Sequence, residues 1–224
     1  MKHGLFITLE GIDGTGKSTQ LRLLVQHLKK RGLAVRVTRE PGGTQVGERI
    51  RKILLASTTT RLAPLAELAL MYAARAQHLQ EVIRPALERG EIVVSDRYND
   101  ASLAYQGYGR MLGVETVRAF DRIVCAGTQP DLTMVLDLAP RISLQRARGR
   151  QSLKKSSQER FERQGLNFHR RVRRGYLSIA RKEPARVKVV RADGPVAEVQ
   201  AQICKIVDAF LARRAATRSP SKPA

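Results

Sequence analysis

Short apolar runs alternate along this chain with longer stretches whose apolar residues recur at three- and four-residue spacing. The runs fall at residues 5–9, 33–38, 92–95, 133–138 and 187–191, each short enough for a strand. Between and after them lie helical stripes. One holds Leu21, Leu24, Val25 and Leu28; another holds Phe161, Gly165, Phe168, Val172, Tyr176 and Ile179; a third holds Val196, Val199, Ile203, Val207 and Phe210. Stripes of this width pack against a core, so they are read as packing and not as ligand contacts. Alternation of strand and helix predicts an α/β fold, a parallel sheet with helices on both faces. Ligands of such sheets sit in the crevice beyond the carboxyl ends of the strands.

At 224 residues with no internal repeat, the chain is expected to form one domain, residues 1–213. Residues 214–224 are basic, lack large apolar side chains and include two prolines, so a disordered tail is expected there. The two cysteines, Cys125 and Cys204, are far apart and belong to no CxxC or Cys/His cluster, which points to neither zinc nor a disulfide. The first apolar run is too short for a signal sequence, and no window approaches the ~18 apolar residues of a membrane span. A cytoplasmic protein is expected.

The net charge of +21 raises three partners: nucleic acid, an anionic membrane surface or a polyanionic small molecule. Its distribution narrows them. Residues 141–182 hold fourteen Lys and Arg against two acids, Glu159 and Glu162. The excess is thus local, and no nucleic-acid-binding motif accompanies it, so no specific nucleic-acid partner is expected.

The most specific chemistry lies at "EGIDGTGKST", residues 10–19. Gly11, Ile12, Asp13, Gly14, Thr15, Gly16, Lys17 and Ser18 satisfy GxxxxGK[ST] between a strand and an apolar-patterned helix, and Thr19 follows. Such a loop turns backbone N–H groups around phosphate oxygens. Lys17 can reach the β and γ phosphates, the Ser18 hydroxyl can ligate Mg²⁺, and the helix N-terminus adds positive charge. A dinucleotide site is excluded because Thr19 stands where GxGxxG needs its third glycine. The expected donor is a nucleoside triphosphate. A second Mg²⁺ ligand is expected at the end of another strand, and "IVVSDR" offers Asp96, followed by Arg97; a buried Asp–Arg pair is the alternative.

The loop alone does not choose among kinases, GTPases and motors. No NKxD-type guanine-reading sequence occurs, and a motor is normally longer. A nucleotide kinase needs a second anionic pocket and a basic lid that excludes water. "TREPGGT", "GERIRK", Arg75 and Arg97 are candidates for the pocket. "RARGRQSLKKSSQER" supplies a candidate mobile lid at about residues 146–163, with Gly149 and the serines giving mobility, although a solvated helix surface would read similarly.

"EGIDGTGKST", "TREPGGT", "AARAQHLQEVIRPAL", "SDRYNDASLAYQG" and "PDLTMVLDL" occur in this order, and together they resemble the thymidylate kinase family of the bacterial kind over roughly residues 4–211. The resemblance implies a P-loop NTPase three-layer fold on a five-stranded parallel sheet, usually a homodimer, that transfers the γ-phosphoryl of ATP to dTMP with Mg²⁺. It places Arg51 and Arg97 on the acceptor phosphate. Arg75, Ser102 and Gln106 would read the thymine edge, Asp13 would face the 3′-hydroxyl, Tyr105 would lie beside the sugar, and Glu40 would line the same pocket. Met71 stands where the family usually has a phenylalanine stacked on the base. Lys17, Arg97 and a lid arginine, Arg148 or Arg150, would neutralise charge on the transferred group, which needs no strong general base. The competing readings are a kinase for another nucleoside monophosphate and a basic nucleotide-dependent nucleic-acid-binding protein.

Overall fold

The structure, a computed structural model, describes residues 4–56, 62–151, 161 and 164–216. Five strands, β1 (Leu5–Glu10), β2 (Val35–Arg39), β3 (Ile92–Asp96), β4 (Leu132–Asp137) and β5 (Val187–Arg191), form one parallel sheet in the order β2-β3-β1-β4-β5. Strands β1 and β4 are buried almost throughout, as expected of inner strands covered on both faces. Successive residues point to opposite faces, so Phe6 and Val93 enter one core with Tyr72, Val172 and Tyr176. Ile7 and Val94 enter the other with Leu24, Leu28, Val199 and Ile203. The result is three layers.

The helices are α1 (Lys17–Lys30), α2 (Gln45–Leu55), α3 (Pro64–His78), α4 (Arg84–Glu88), α5 (Asn99–Ser102), α6 (Val114–Val124), α7 (Pro140–Gln151), α8 (Leu166–Lys182) and α9 (Val196–Ala216). A π-helical stretch, Leu79–Ile83, joins α3 to α4, and another, Leu103–Gly109, continues α5. Widened turns of this kind recur at functional sites, and the second one carries Tyr105 and Gln106.

The chain order leaves β1 at the centre, with β2 and β3 on one side and β4 and β5 on the other. The switch in direction opens a crevice at the carboxyl end of β1. Register then places the site residues. Leu9 of β1 lies opposite Asp96 of β3, and the Arg97 N–H donates to the Leu9 carbonyl at 3.0 Å. The phosphate loop and the Asp96–Arg97 pair therefore leave the sheet side by side.

Three sequence expectations change. The tail expected from residue 214 does not start there: α9 runs to Ala216, and Arg214 Nη1 donates to Asp131 Oδ1 at 2.8 Å, so residues 214–216 are helix. Residues 217–224 lie outside the described residues. Phe161 does not belong to the stripe of α8, because that helix starts at Leu166 after Gly165; Phe168, Val172, Tyr176 and Ile179 are its buried face. Gly149 is inside α7, in the helical part of the expected lid. The remaining lid residues, 152–160 and 162–163, and the side chains of Arg148 and Arg150, are outside the described residues. Both cysteines are free, Cys125 buried and Cys204 half-buried. Among the described residues, no helix is long and apolar enough to cross a membrane.

Candidate active site

The loop between β1 and α1 is shaped by glycine at two kinds of position. Gly14 has φ 91°, and a Cβ there would lie 2.0 Å from the Ser143 carbonyl oxygen, so α7 can close on the loop only over a bare backbone. The Ser143 hydroxyl donates to the Asp13 carbonyl from the same side. Gly16, with φ 90°, instead faces open space, which is where an anion at the N-terminus of α1 would lie. Ile12 turns into the core, Thr15 braces the loop by donating to the Ile12 carbonyl at 3.0 Å, and Thr19 is exposed on the first turn of α1.

Lys17 is buried, with Nζ 3.1 Å from the Gly11 carbonyl oxygen and 3.0 Å from that of Ile12. Burial, and then the charge of Arg97, bring its pKa down to about 8. Arg97 has a left-handed backbone, φ 74°, unusual for a side chain of this size and typical of strain held at functional sites. Its Nη2 donates to Asp13 Oδ1 at 2.7 Å and to the Tyr105 hydroxyl at 3.1 Å. Its Nη1 donates to the Gly11 carbonyl at 2.8 Å and the Tyr176 hydroxyl at 3.1 Å. Burial alone would raise the pKa of Asp13, but Arg97 and Lys17 hold it down to about 2. Tyr176 thus does more than pack: its ring fills the core while its hydroxyl links Arg97 to Glu10.

Two cavities meet at this cluster. One, of about 170 Å³, is lined by Gly14, Gly16, Lys17, Ser18, Arg39 and Asp96; the other, of about 250 Å³, by Met71, Arg75, Ser102, Tyr105, Gln106 and Phe161 among others. Asp13, Glu40, Arg51 and Arg97 line both. Every residue expected at the acceptor is therefore gathered in the second cavity. Arg51 is held by the Pro41 carbonyl at 2.8 Å, and burial and Arg39 lower its pKa.

The smaller cavity has an unpartnered carboxylate oxygen. Asp96 Oδ1 is buried with no hydrogen-bond partner among the described residues, in the same cavity as the Ser18 hydroxyl. The described residues contain no group of three or more His, Cys, Asp or Glu that could hold a metal. One carboxylate and one hydroxyl suit Mg²⁺, which keeps several waters and takes its other oxygens from phosphates.

The larger cavity is built around Arg75. Its Nε donates to Glu40 Oε2 at 2.7 Å, and Nη2 donates to the Tyr98 carbonyl at 3.1 Å and Ser102 Oγ at 3.0 Å. The guanidinium stacks on Tyr72 at 4.5 Å. Glu40, also 3.0 Å from His78 Nδ1, thereby acquires a definite structural part: it fixes Arg75 and keeps it charged despite burial. Met71 reaches the cavity, whereas the neighbouring Tyr72 is turned into the core with its hydroxyl on Asn99.

Several site residues escaped the sequence. Arg39 lay within the quoted "TREPGGT" but carried no assignment, and the Tyr176 hydroxyl and Phe161 were hidden by an apolar pattern. Glu67, on α3, accepts from Gln106 Nε2 at 2.8 Å, and no spacing signals that pair.

A glycine loop on the central strand of a parallel sheet, with a strand-end aspartate beside it and a second polar cavity adjoining, defines a P-loop nucleotide-binding protein. The sequence model of the thymidylate kinase family matches residues 9–203, so the chain belongs to that family. It is 50% identical over 195 residues to a thymidylate kinase of Syntrophotalea carbinolica, covering 87% of this chain and 90% of the relative. To that of Methylococcus capsulatus it is 49% identical over 212 residues, 95% and 99% of the two chains. A crystal structure of thymidylate kinase from Ehrlichia chaffeensis superposes with a TM-score of 0.73 at 31% identity, covering 92% of this chain and 99% of that one.

Proposed function

We propose that this chain is a cytoplasmic thymidylate kinase that transfers the γ-phosphoryl group of ATP to dTMP, giving ADP and dTDP. The observation that carries this reading is the junction of the two cavities across Asp13, Glu40, Arg51 and Arg97. A donor phosphate against Lys17 and an acceptor phosphate against Arg51 would meet there, and phosphoryl transfer demands chiefly such positioning and charge neutralisation. Lys17 holds the donor's terminal phosphates, and Arg97 binds the acceptor phosphate while its ion pair orients Asp13 towards the sugar hydroxyl. Arg75, Ser102 and Gln106 address the base edge, with Tyr105 beside the sugar. Ser18 and Asp96 hold Mg²⁺, which supplies neutralising charge to the β and γ phosphates when bound. Arg148 or Arg150, whose side chains lie outside the described residues, would add positive charge to the transferred group. The active form is a homodimer, a point light scattering of the purified chain decides.

Release of ADP from ATP and Mg²⁺ should accelerate with dTMP well beyond dGMP, AMP or CMP. No acceleration by dTMP would sink the proposal. The single methyl that separates thymine from uracil is worth only ~0.8 kcal/mol on burial, extending to ~3 kcal/mol in a tight pocket, so measurable dUMP turnover should accompany the main activity.

A further inference from the structure

We infer that Glu67 is a positioning residue for base selection: it fixes the side-chain amide of Gln106 so that the site accepts a 4-keto pyrimidine and rejects a 4-amino one. The inference rests on the dTMP kinase reading and adds to it a residue outside the cavity wall. Glu67 is completely buried on α3. Its Oε1 accepts from Gln106 Nε2 at 2.8 Å and from Arg110 Nε at 3.2 Å, and its Oε2 accepts from Arg110 Nη2 at 3.0 Å.

The two-point contact with Arg110 fixes the orientation of the carboxylate. Arg110 is itself held: its guanidinium lies over the rings of Phe168 and Phe161, at 4.9 and 5.6 Å, and Nη1 donates to Gln164 Oε1 at 3.0 Å. A carboxylate can only accept, so Gln106 must turn its NH₂ group towards Glu67. The amide is planar. With the nitrogen held on Glu67, the oxygen is the acceptor that Gln106 can offer to the cavity it lines.

Across the same cavity Arg75 can only donate. Thymine and uracil match this pair: O4 accepts from Arg75 and N3–H donates to the Gln106 oxygen. Cytosine mismatches at both points, setting its amino group against the guanidinium and its N3 lone pair against the amide oxygen. A Gln106 free to turn over would relieve half of that mismatch by offering NH₂ to N3. Glu67 prevents the turn, and the preference follows from its accepting the Gln106 N–H and not from any contact with substrate.

The test is kcat/KM for dTMP, dUMP and dCMP in the wild-type enzyme, Glu67→Gln, Gln106→Leu and the double variant. Wild type should prefer dTMP over dCMP by at least ~10³-fold, the range reached by sites that reject through unmatched polar groups. Glu67→Gln, whose amide can either donate or accept, should cut that ratio by roughly 10–100-fold while moving the dTMP:dUMP ratio by less than about threefold. In the Gln106→Leu background the same substitution should change the keto-to-amino ratio no further. A purely structural Glu67 would lower both ratios together or neither, and either result overturns the inference.

Should Glu67→Gln fail to fold, the side-chain amide protons of Gln106 in the wild type, identified by their loss in Gln106→Leu, decide the matter. Slow solvent exchange supports the bond to Glu67, and fast exchange refutes it. A wild-type enzyme that turns over dGMP or AMP but not dTMP would instead overturn the activity itself, and the inference with it.

Discussion

Arg97 and Asp13 form a 2.7 Å ion pair at the seam shared by the two cavities, each also bonded to the Tyr105 hydroxyl. Asp13 belongs to the phosphate loop and Arg97 follows the last residue of β3, so a single contact ties together two segments that line both cavities.

Arg97→Ala should therefore affect binding and turnover together. Loss of an acceptor anchor that also helps neutralise the transferring group is expected to raise the KM for dTMP and lower kcat, for a combined loss of ~10²-fold or more in kcat/KM. Steady-state kinetics at saturating ATP checks this; near-normal constants would remove Arg97 from the site.

Asp96→Asn should leave the fold intact, because the affected oxygen has no hydrogen-bond partner among the described residues to lose. Activity should fall by ~10²-fold, with a higher Mg²⁺ concentration at half-maximal rate. An unchanged Mg²⁺ titration would remove Asp96 from the proposed metal site.

Met71→Phe restores an aromatic surface at the acceptor cavity. An aromatic pair contributes ~0.5–1.5 kcal/mol beyond area, so the KM for dTMP should drop by roughly 2–10-fold with little change in kcat. The thioether of Met71, which lines the cavity, would cover a ring face less rigidly. An increase in KM would mean that Met71 sits too tightly against the base for a ring.

Glu10 makes a pH prediction. It is fully buried, accepts from the Tyr98 N–H and the Tyr176 hydroxyl at 2.7 Å each, and faces the charges of Asp100, Arg97 and Lys17. Burial first, and then Asp100, push its carboxyl up to about 8 from 4.5, against the pull of Arg97 and the hydrogen bonds. The folded chain thus holds this proton more tightly than the unfolded one. Its stabilising effect is full below pH 4.5 and is lost as pH rises through about 8. Glu10→Gln cannot titrate, so urea midpoints should decline less steeply between those limits, the difference reaching ~1 kcal/mol or more. Parallel profiles for the two proteins would refute this.

Much of the fold could be read directly because the inner strands are apolar on both faces and end in chemistry. "LFITLE" leads into glycines that only a phosphate cradle needs, and "IVVSD" ends in Asp96. Strand β2 starts two residues later than its apolar run suggested, at Val35, since Leu33 and Ala34 continue the approach from α1. Periodicity misled where it ran past a helix end: Phe161 keeps helical spacing with Gly165 and Phe168, yet Gly165 precedes the first residue of α8, which frees Phe161 to line the acceptor cavity. Composition misled at the C-terminus, where Arg214 finds Asp131 and extends α9. Pattern also cannot display a tyrosine hydroxyl aimed at an arginine, or the Glu67–Gln106 contact between residues 39 apart.

Four side chains, Asp13, Glu40, Arg51 and Arg97, face both chambers, so a ligand in either one alters the charge that meets a ligand in the other. Such coupling is reciprocal: the factor by which ATP changes the affinity for dTMP equals the factor by which dTMP changes that for ATP. An inhibitor that fills only one chamber will consequently show a potency set by the occupancy of its neighbour, and a screen run without the second nucleotide will rank compounds against a different protein surface from the one that turns over.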